Sequence, residues 1–308
     1  MKKFLFFCVI LYLIIYSFFF PEITINAAKN GIQIWFQQIL PALLPFTILS
    51  SVLIKSDLLR SFKGNANLIS ILLTLSCGFI FGFPVGAKLS ADFYKQRLLT
   101  KKQATVLAIA TNNFSPMYVC GFALPLLFAS QNLNSITYLL LYLLPLIITT
   151  IYLLIDTYFH HDINAHTDGS TSHFKLDMQV MDSSIINGFE SMIKICGYIV
   201  IFSIATAIVT NTITYFIMKP PYILTLLLGN MEITNGINLL SSLEMNSNIK
   251  YLSAIQLLSF GGLSGIVQTG SILSDARLSL HKYIIGKATL SLLLTLLSVI
   301  YVFFIRLL

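Results

Sequence analysis

From Phe4 to Phe20 the chain runs seventeen residues in which Ser17 is the only one that is neither apolar nor aromatic. A run of that length is too long for a barrel strand and suits a helix in lipid. Comparable runs recur as far as Tyr283 to Ile305. Unpaired backbone groups are prohibitive in hydrocarbon, so the chain must cross as helices. Composition agrees: 56% of the 308 residues are hydrophobic and 10% are charged, against about a quarter charged in a soluble domain. Too little polar surface remains to cover that much apolar side chain in water, and disorder is excluded for the same reason. The four cysteines, Cys8, Cys77, Cys120 and Cys196, sit in apolar runs without a CxxC pair, which excludes a disulfide scaffold. The net charge of +7 comes from short clusters between apolar runs. These read as orientation signals on cytoplasmic loops, not as a nucleic-acid surface.

Lys2 and Lys3 precede the first run. A signal peptide cleaved near Ala27 and Ala28 is the alternative, but the length favours a first span with a cytoplasmic N-terminus. A second span covers Ile32 to Ile54, with Pro41 and Pro45 inside and Lys55, Arg60 and Lys63 after it. Next comes Leu68 to Phe81, about 21 Å of helix against a hydrocarbon core of about 30 Å. It stops at Gly82-Phe83-Pro84-Val85-Gly86, and a polar, basic stretch follows to Lys102. Both ends of this segment lie on the cytoplasmic side, so the spacing predicts a re-entrant hairpin whose turn is buried or lines a cavity. The helix after Lys102 is interrupted at Asn112-Asn113-Phe114-Ser115-Pro116, where Pro116 frees a carbonyl one turn earlier. Gln131, Asn132 and Asn134 form an external loop, and Thr137 to Tyr158 is a further span.

His160 to Asp182 holds four of the five histidines and reads as a solvated linker; no fixed ligand spacing points to a metal. The second half opens with Ile185 to Thr210, where Glu190 and Lys194 are spaced for an i,i+4 pair. Pro220-Pro221, Tyr222 to Leu228 and the polar Glu232-Ile233-Thr234-Asn235-Gly236 follow. Tyr251 to Phe260 then stops at Gly261-Gly262-Leu263-Ser264-Gly265, ahead of polar residues and the last span, Tyr283 to Ile305.

A shift of 180 places Gly82 on Gly262, Lys88 on Gln268, Arg97 on Arg277, Leu98 on Leu278 and Lys102 on Lys282. That predicts a second hairpin at Gly261 to Gly265; because the Thr137 to Tyr158 span brings the chain back inside, the two units have opposite orientation. Lys29, Lys219, Lys250, Arg277, Lys282 and Lys287 then fall outside, and the remaining clusters, Arg306 included, fall inside. Inverted repeats with short, Gly/Pro-interrupted helices are a recurring design of secondary transporters.

Cys77 to Gly121 resembles the nucleoside-recognition, or gate, domain family, closest to its YlbJ branch of sporulation integral membrane proteins. The shared elements are Gly82, Pro84, Gly86, Ala87 and Lys88, then Asn112, Asn113, Ser115 and Pro116. Leu40 to Phe46, Glu232 to Gly236 and Phe260 to Ser264 with Gln268 also fit. The chain departs from the branch in its short first half, in Leu263 and Gly265 beside Ser264, and in its Asp/His-rich linker. The resemblance implies a fold like that of concentrative nucleoside transporters. It also implies movement of a nucleoside-like metabolite or, for this branch, of dipicolinate during sporulation. The implied organisation is an N-terminal transmembrane helix over 1–20 and a first gate-type repeat over 30–130. A connecting helix over 136–158, a cytoplasmic linker over 159–182 and a second repeat over 184–308 follow.

Lys88, two residues past the turn, is placed to pair with Asp92 or an anionic substrate, or else to snorkel to the interface. Asn112, Asn113 and Ser115 offer polar contacts at a helix break, or satisfy the backbone that Pro116 frees. Glu232, with Thr234 and Asn235, is a candidate relay for a coupling ion, or an interfacial loop residue. The expected substrate-binding set is therefore Gly82, Pro84, Gly86, Lys88, Asn112, Asn113, Ser115, Pro116, Glu232, Thr234, Asn235, Gly262, Ser264 and Gln268, with no cofactor and no metal. The expectation is an all-α, polytopic protein of the bacterial cytoplasmic membrane with both termini cytoplasmic. It acts as a secondary transporter of a small polar or anionic metabolite. Its partners are that substrate, the lipid bilayer, a coupling proton or sodium ion and, as an option, a second copy of the chain; nucleic acid is not among them. A membrane scaffold is the alternative. An intramembrane enzyme ranks last, since no HExxH, GxSxG, P-loop or dinucleotide fingerprint is present.

Overall fold

Every element of the computed structural model is helical, and the structure describes residues 2–56, 58, 66–128, 134–159, 177–216 and 222–304. The bulk of the linker (160–176), Arg60, Lys63, Gln131, Asn132, Lys219 and Arg306 lie outside these. The first stretch is α1 (Lys2–Phe19), α2 (Pro21–Ile34), a π turn (Trp35–Ile39) and α3 (Leu40–Lys55). Next are α4 (Ala66–Phe81), α5 (Val85–Lys95) and α6 (Lys101–Thr111). Then come α7 (Pro116–Tyr118), a π turn (Val119–Ala123) and α8 (Leu124–Leu127), followed by α9 (Asn134–Tyr138), a π turn (Leu139–Leu143) and α10 (Leu144–Phe159). The second half holds α11 (Met178–Phe216), α12 (Tyr222–Met231), α13 (Ile233–Ser242), α14 (Ser247–Phe260), α15 (Gly262–Asp275) and α16 (Leu280–Phe304). Among the described residues four stretches are long and apolar enough to cross a membrane: Ser135–Asp156, Met178–Phe216, Ser247–Asp275 and Leu280–Phe304. The α1–α2 pair, bent by 107° ahead of Pro21, makes a fifth if it is one span. Tyr12 and Tyr16 fix that corner through hydrogen bonds with Thr212 (2.7 Å) and Asn211 (2.5 Å).

The α2–α3 path packs antiparallel to α11. Gly31 lies against Val200 and Ser203, the Trp35 indole donates to the Met192 carbonyl at 2.9 Å, and Gly188 lies against Leu44, Thr47 and Ile48. Small residues allow this approach: a Cβ on Gly188 would stand 2.7 Å from Ile48 Cγ1.

The chain folds back at Gly82 to Gly86, where the sequence predicts a turn. α4 and α5 pack along one another because Gly78 and Gly86 face each other, a Cβ on Gly78 standing 3.1 Å from Gly86 Cα. Gly82 turns the chain at φ +70. An interrupted helix follows as α6, the break at 112–115, and α7 through α8. α9–α10 returns antiparallel to it: Lys102 pairs with Asp156 at 3.8 Å, and Tyr142 Oη donates to the Phe114 carbonyl at 2.9 Å.

The second hairpin is not at Gly261 to Gly265. α14 and α15 are consecutive parts of one 29-residue stretch, kinked where Gly261 (φ +87) and Gly262 (φ +66) interrupt the helix. α16 runs antiparallel along both parts. Leu280 lies against Gly270, Ser291 bonds Ser259 at 2.8 Å, and the Tyr301 and Tyr251 rings are 6.3 Å apart. The hairpin is instead α12–α13, with Glu232 at its turn and Gly229 and Gly236 in backbone contact.

The identities at a shift of 180 reduce largely to a shared helix C-cap. Leu98 N donates to Phe93 O and Leu278 N to Leu273 O, both at 2.9 Å, around Arg97 (φ 61) and Arg277 (φ 54). Because α14–α15 runs on without folding back, Arg277 and Lys282 join Lys95 and Lys102 at one end of the bundle. Asp275 there shares a recess with Lys88, Lys95 and Lys194. α16 therefore ends at the opposite end, not on the side of the basic loops. Lys287, counted as external from sequence, is buried.

Candidate functional site

Four interruptions of helix meet around one cavity of about 570 Å³. They are the tip of the first hairpin, the α6–α7 break, the turn of the second hairpin and the α14–α15 kink. Phe83, Phe114 and Tyr118 give the cavity aromatic walls, with Phe114 and Tyr118 stacked at 4.8 Å between ring centres. Ser115, Glu232, Thr234, Ser264, Gln268 and Gln37 supply its polar lining. Glu232 is the one formally charged residue among the described residues that line it.

Local chemistry places each group. Ser115 caps α7 by accepting from Tyr118 N at 3.3 Å, and Pro116 sits in the first turn, where its missing N–H costs nothing. Glu232 caps α13 with both carboxylate oxygens, accepting from Thr234 N (3.0 Å) and Asn235 N (2.7 Å). A carboxylate is favoured at that end of a helix by its unpaired N–H groups and dipole. Tyr118 Oη, at 3.4 Å from Thr234 Oγ1, joins the first break to the second hairpin. Gln268 donates to Ser264 Oγ at 3.0 Å, while its Oε1 is buried and has no partner among the described residues. The Phe83 ring lies beside the kink, 3.8 Å from where a Cβ on Gly265 would stand.

The other expected residues are placed differently. Lys88 is half-buried and pairs with Asp92 at 3.4 Å. It faces, with Pro84, a recess of about 80 Å³ toward the basic end, not the main cavity. Gln268 and Ile195 line both spaces. Glu190 and Lys194 form the expected pair at 3.0 Å. Gly82, Gly86 and Gly262 act through the backbone: turn, close approach to Thr111 and kink respectively. Asn235 lines a separate recess with Asn30, Asn211 and Asn238.

Asn112 and Asn113 are buried at the break and are held from the far half of the chain. Asn112 Nδ2 donates to Thr269 Oγ1 and Tyr283 Oη, both at 2.8 Å. Asn113 Nδ2 donates to Ala110 O at 2.7 Å, and Phe83 N donates to Asn113 O at 2.5 Å. Lys287 Nζ donates to Asn113 Oδ1 at 2.7 Å and to Asn112 O at 3.2 Å, and the residue is 1% exposed. Sequence reasoning missed Lys287. The signal was there: a lysine between Gly286 and Ala288, inside an apolar span, whose charge must find a partner in the protein.

The chain is similar to the sporulation integral membrane protein YlbJ of Bacillus subtilis (strain 168), at 22% identity over 314 residues, which cover 87% of this chain and 74% of that one. No protein-family model matches the chain, and no solved structure matches it. The helical architecture and this likeness together make it an integral membrane protein related to a sporulation membrane protein.

Proposed function

We propose that the protein is a secondary transporter of a small polar metabolite, built from two inverted repeats of gate type. What carries the reading is the convergence of two hairpin turns and two helix breaks on one cavity. Non-helical backbone at membrane depth is tolerated where it is buried or lines such a space, and transporters place substrate there. The first hairpin opens toward the basic end and the second toward the opposite end, and each is followed by a broken span and a returning span. The basic end faces the cytoplasm of a bacterial cytoplasmic membrane on this reading. That puts the end of α16 outside.

The lining favours a flat substrate with hydrogen-bonding edges, nucleoside-like in that sense. Aromatic faces take the ring, and Ser115, Thr234, Ser264 and Gln268 take the edges. A dicarboxylate such as dipicolinate would meet the Glu232 carboxylate, with no cation among the described residues of the lining. Lys88, Asp92, Lys95, Lys194 and Asp275 form the approach from the basic end. The related protein is named for sporulation, and the same setting is proposed for this chain. Catalysis is not part of the proposal.

The test is uptake into proteoliposomes of radiolabelled nucleosides and small dicarboxylates. Gln268→Ala is expected to lower uptake at least tenfold, and Lys88→Ala to lower it less. Uptake of no candidate would favour a scaffold, and full uptake by Gln268→Ala would move the substrate out of this cavity.

A further inference from the structure

The α6–α7 break leaves acceptors that no helix uses. Carbonyls at a helix C-terminus carry partial negative charge. Unwound backbone of this kind is where secondary transporters hold a coupling cation. In this protein the place is already filled. The Lys287 ammonium reaches from α16, in the other half of the chain, to Asn112 O and Asn113 Oδ1. No salt bridge to a carboxylate is present for Lys287 among the described residues, so its positive charge is met by these two oxygens. Asn112 Oδ1 is a further buried acceptor without a partner there.

We propose that Lys287 is a built-in cation. Its ammonium occupies, at the α6–α7 break, the position a monovalent metal ion would take, so the protein needs no Na⁺ at this place. Lys287 is a positioning residue: it holds the break in shape and ties the two halves together, and it does not touch the cavity lining. Na⁺-independence of uptake rests on the transporter reading above, whereas occupancy of the break by the ammonium is read from stability alone.

The experiment compares thermal unfolding of the full chain in detergent, in NaCl and in choline chloride of equal ionic strength. The wild-type Tm is expected to be the same in both. Lys287→Ala is expected to fall by about 5 °C or more in choline chloride and to recover at least half of that in NaCl or ethylammonium chloride. Lys287→Met, which fills the space without charge, is expected to fall and not recover. Asn113→Asp, a second variant should the alanine form not fold, keeps the ammonium in place and is expected to be indifferent to Na⁺. A Na⁺-specific rise in Tm of the wild type or of Asn113→Asp would overturn the proposal. So would a Lys287→Ala protein that no cation restores, since Lys287 would then be a structural tether only. If proteoliposomes take up substrate, the rate is expected to be equal in the two salts. Failure of all uptake would sink the transporter reading and leave the unfolding result standing.

Discussion

The two interrupted helices, α6–α7 and α14–α15, are broken by opposite means. At 112–115 the break is made by proline and held by polar side chains from elsewhere: Lys287, Tyr283, Thr269 and Tyr142 all reach it. At Gly261–Gly262 the break is made by two consecutive positive-φ glycines. Ile233 lies closest to Gly262, and nothing lies within 4 Å of a Cβ on Gly261. The first break is specified by long-range hydrogen bonds and the second by backbone freedom, which only glycine supplies cheaply. The first should therefore fail when a partner is removed, and the second when a Cβ is added.

The largest effect is expected from Lys287→Met. It strips a buried ammonium from two buried acceptors, and each unsatisfied group costs about 1 to 3 kcal/mol. A total loss of about 2 to 6 kcal/mol follows from the same range. It should appear as a lowered Tm in detergent and as faster hydrogen exchange at Asn113 and Phe114. Gly262→Ala comes next. Its φ of +66 is strained for an L residue, and its Cβ would stand 3.1 Å from Ile233 Cγ1. About 2 kcal/mol is the expected loss. If Gly262→Ala costs more than Lys287→Met in the same scan, the contrast between the breaks is wrong.

The same contrast decides how much was legible in the sequence. Gly82 to Gly86 announced a hairpin because a short apolar run and a basic return flank it. Asn112 to Pro116 announced a break because proline removes a donor. Gly261-Gly262 looked like the first motif but is a kink. A positive-φ glycine ends a helix without saying whether the chain folds back or goes on. What decides is whether the two arms can pack. Gly78 with Gly86 and Gly229 with Gly236 make that close contact, and no equivalent pair joins α14 to α15. Such pairing is long-range and leaves no local pattern. Glu232 was legible as a polar interruption, but its capping of α13 needed the turn to be seen. Lys287 was visible as a charge in an apolar span, and its partner lies across the chain in the other half.

Tyr142→Phe separates the polar tethers from the ammonium. It removes one hydrogen bond, Oη to Phe114 O, while the ring remains to pack, so about 1 kcal/mol is expected. A loss equal to that of Lys287→Met would mean that the break is held by a general polar network and not by the cation.

Gly261→Asn is expected to have the smallest effect, and it tests the glycine break alone. Gly261 lies at φ +87 with nothing within 4 Å of a built Cβ. Asparagine is the non-glycine residue that enters the left-handed region most readily, because its short amide bonds locally. The expected change is therefore below about 1 kcal/mol, and Gly261→Val should cost clearly more, since a β-branched side chain resists positive φ. Comparable losses in the two variants would show that the kink depends on an unbranched, side-chain-free approach by a neighbour and not on φ. The two breaks would then both be set by tertiary contact, and the difference between them would vanish.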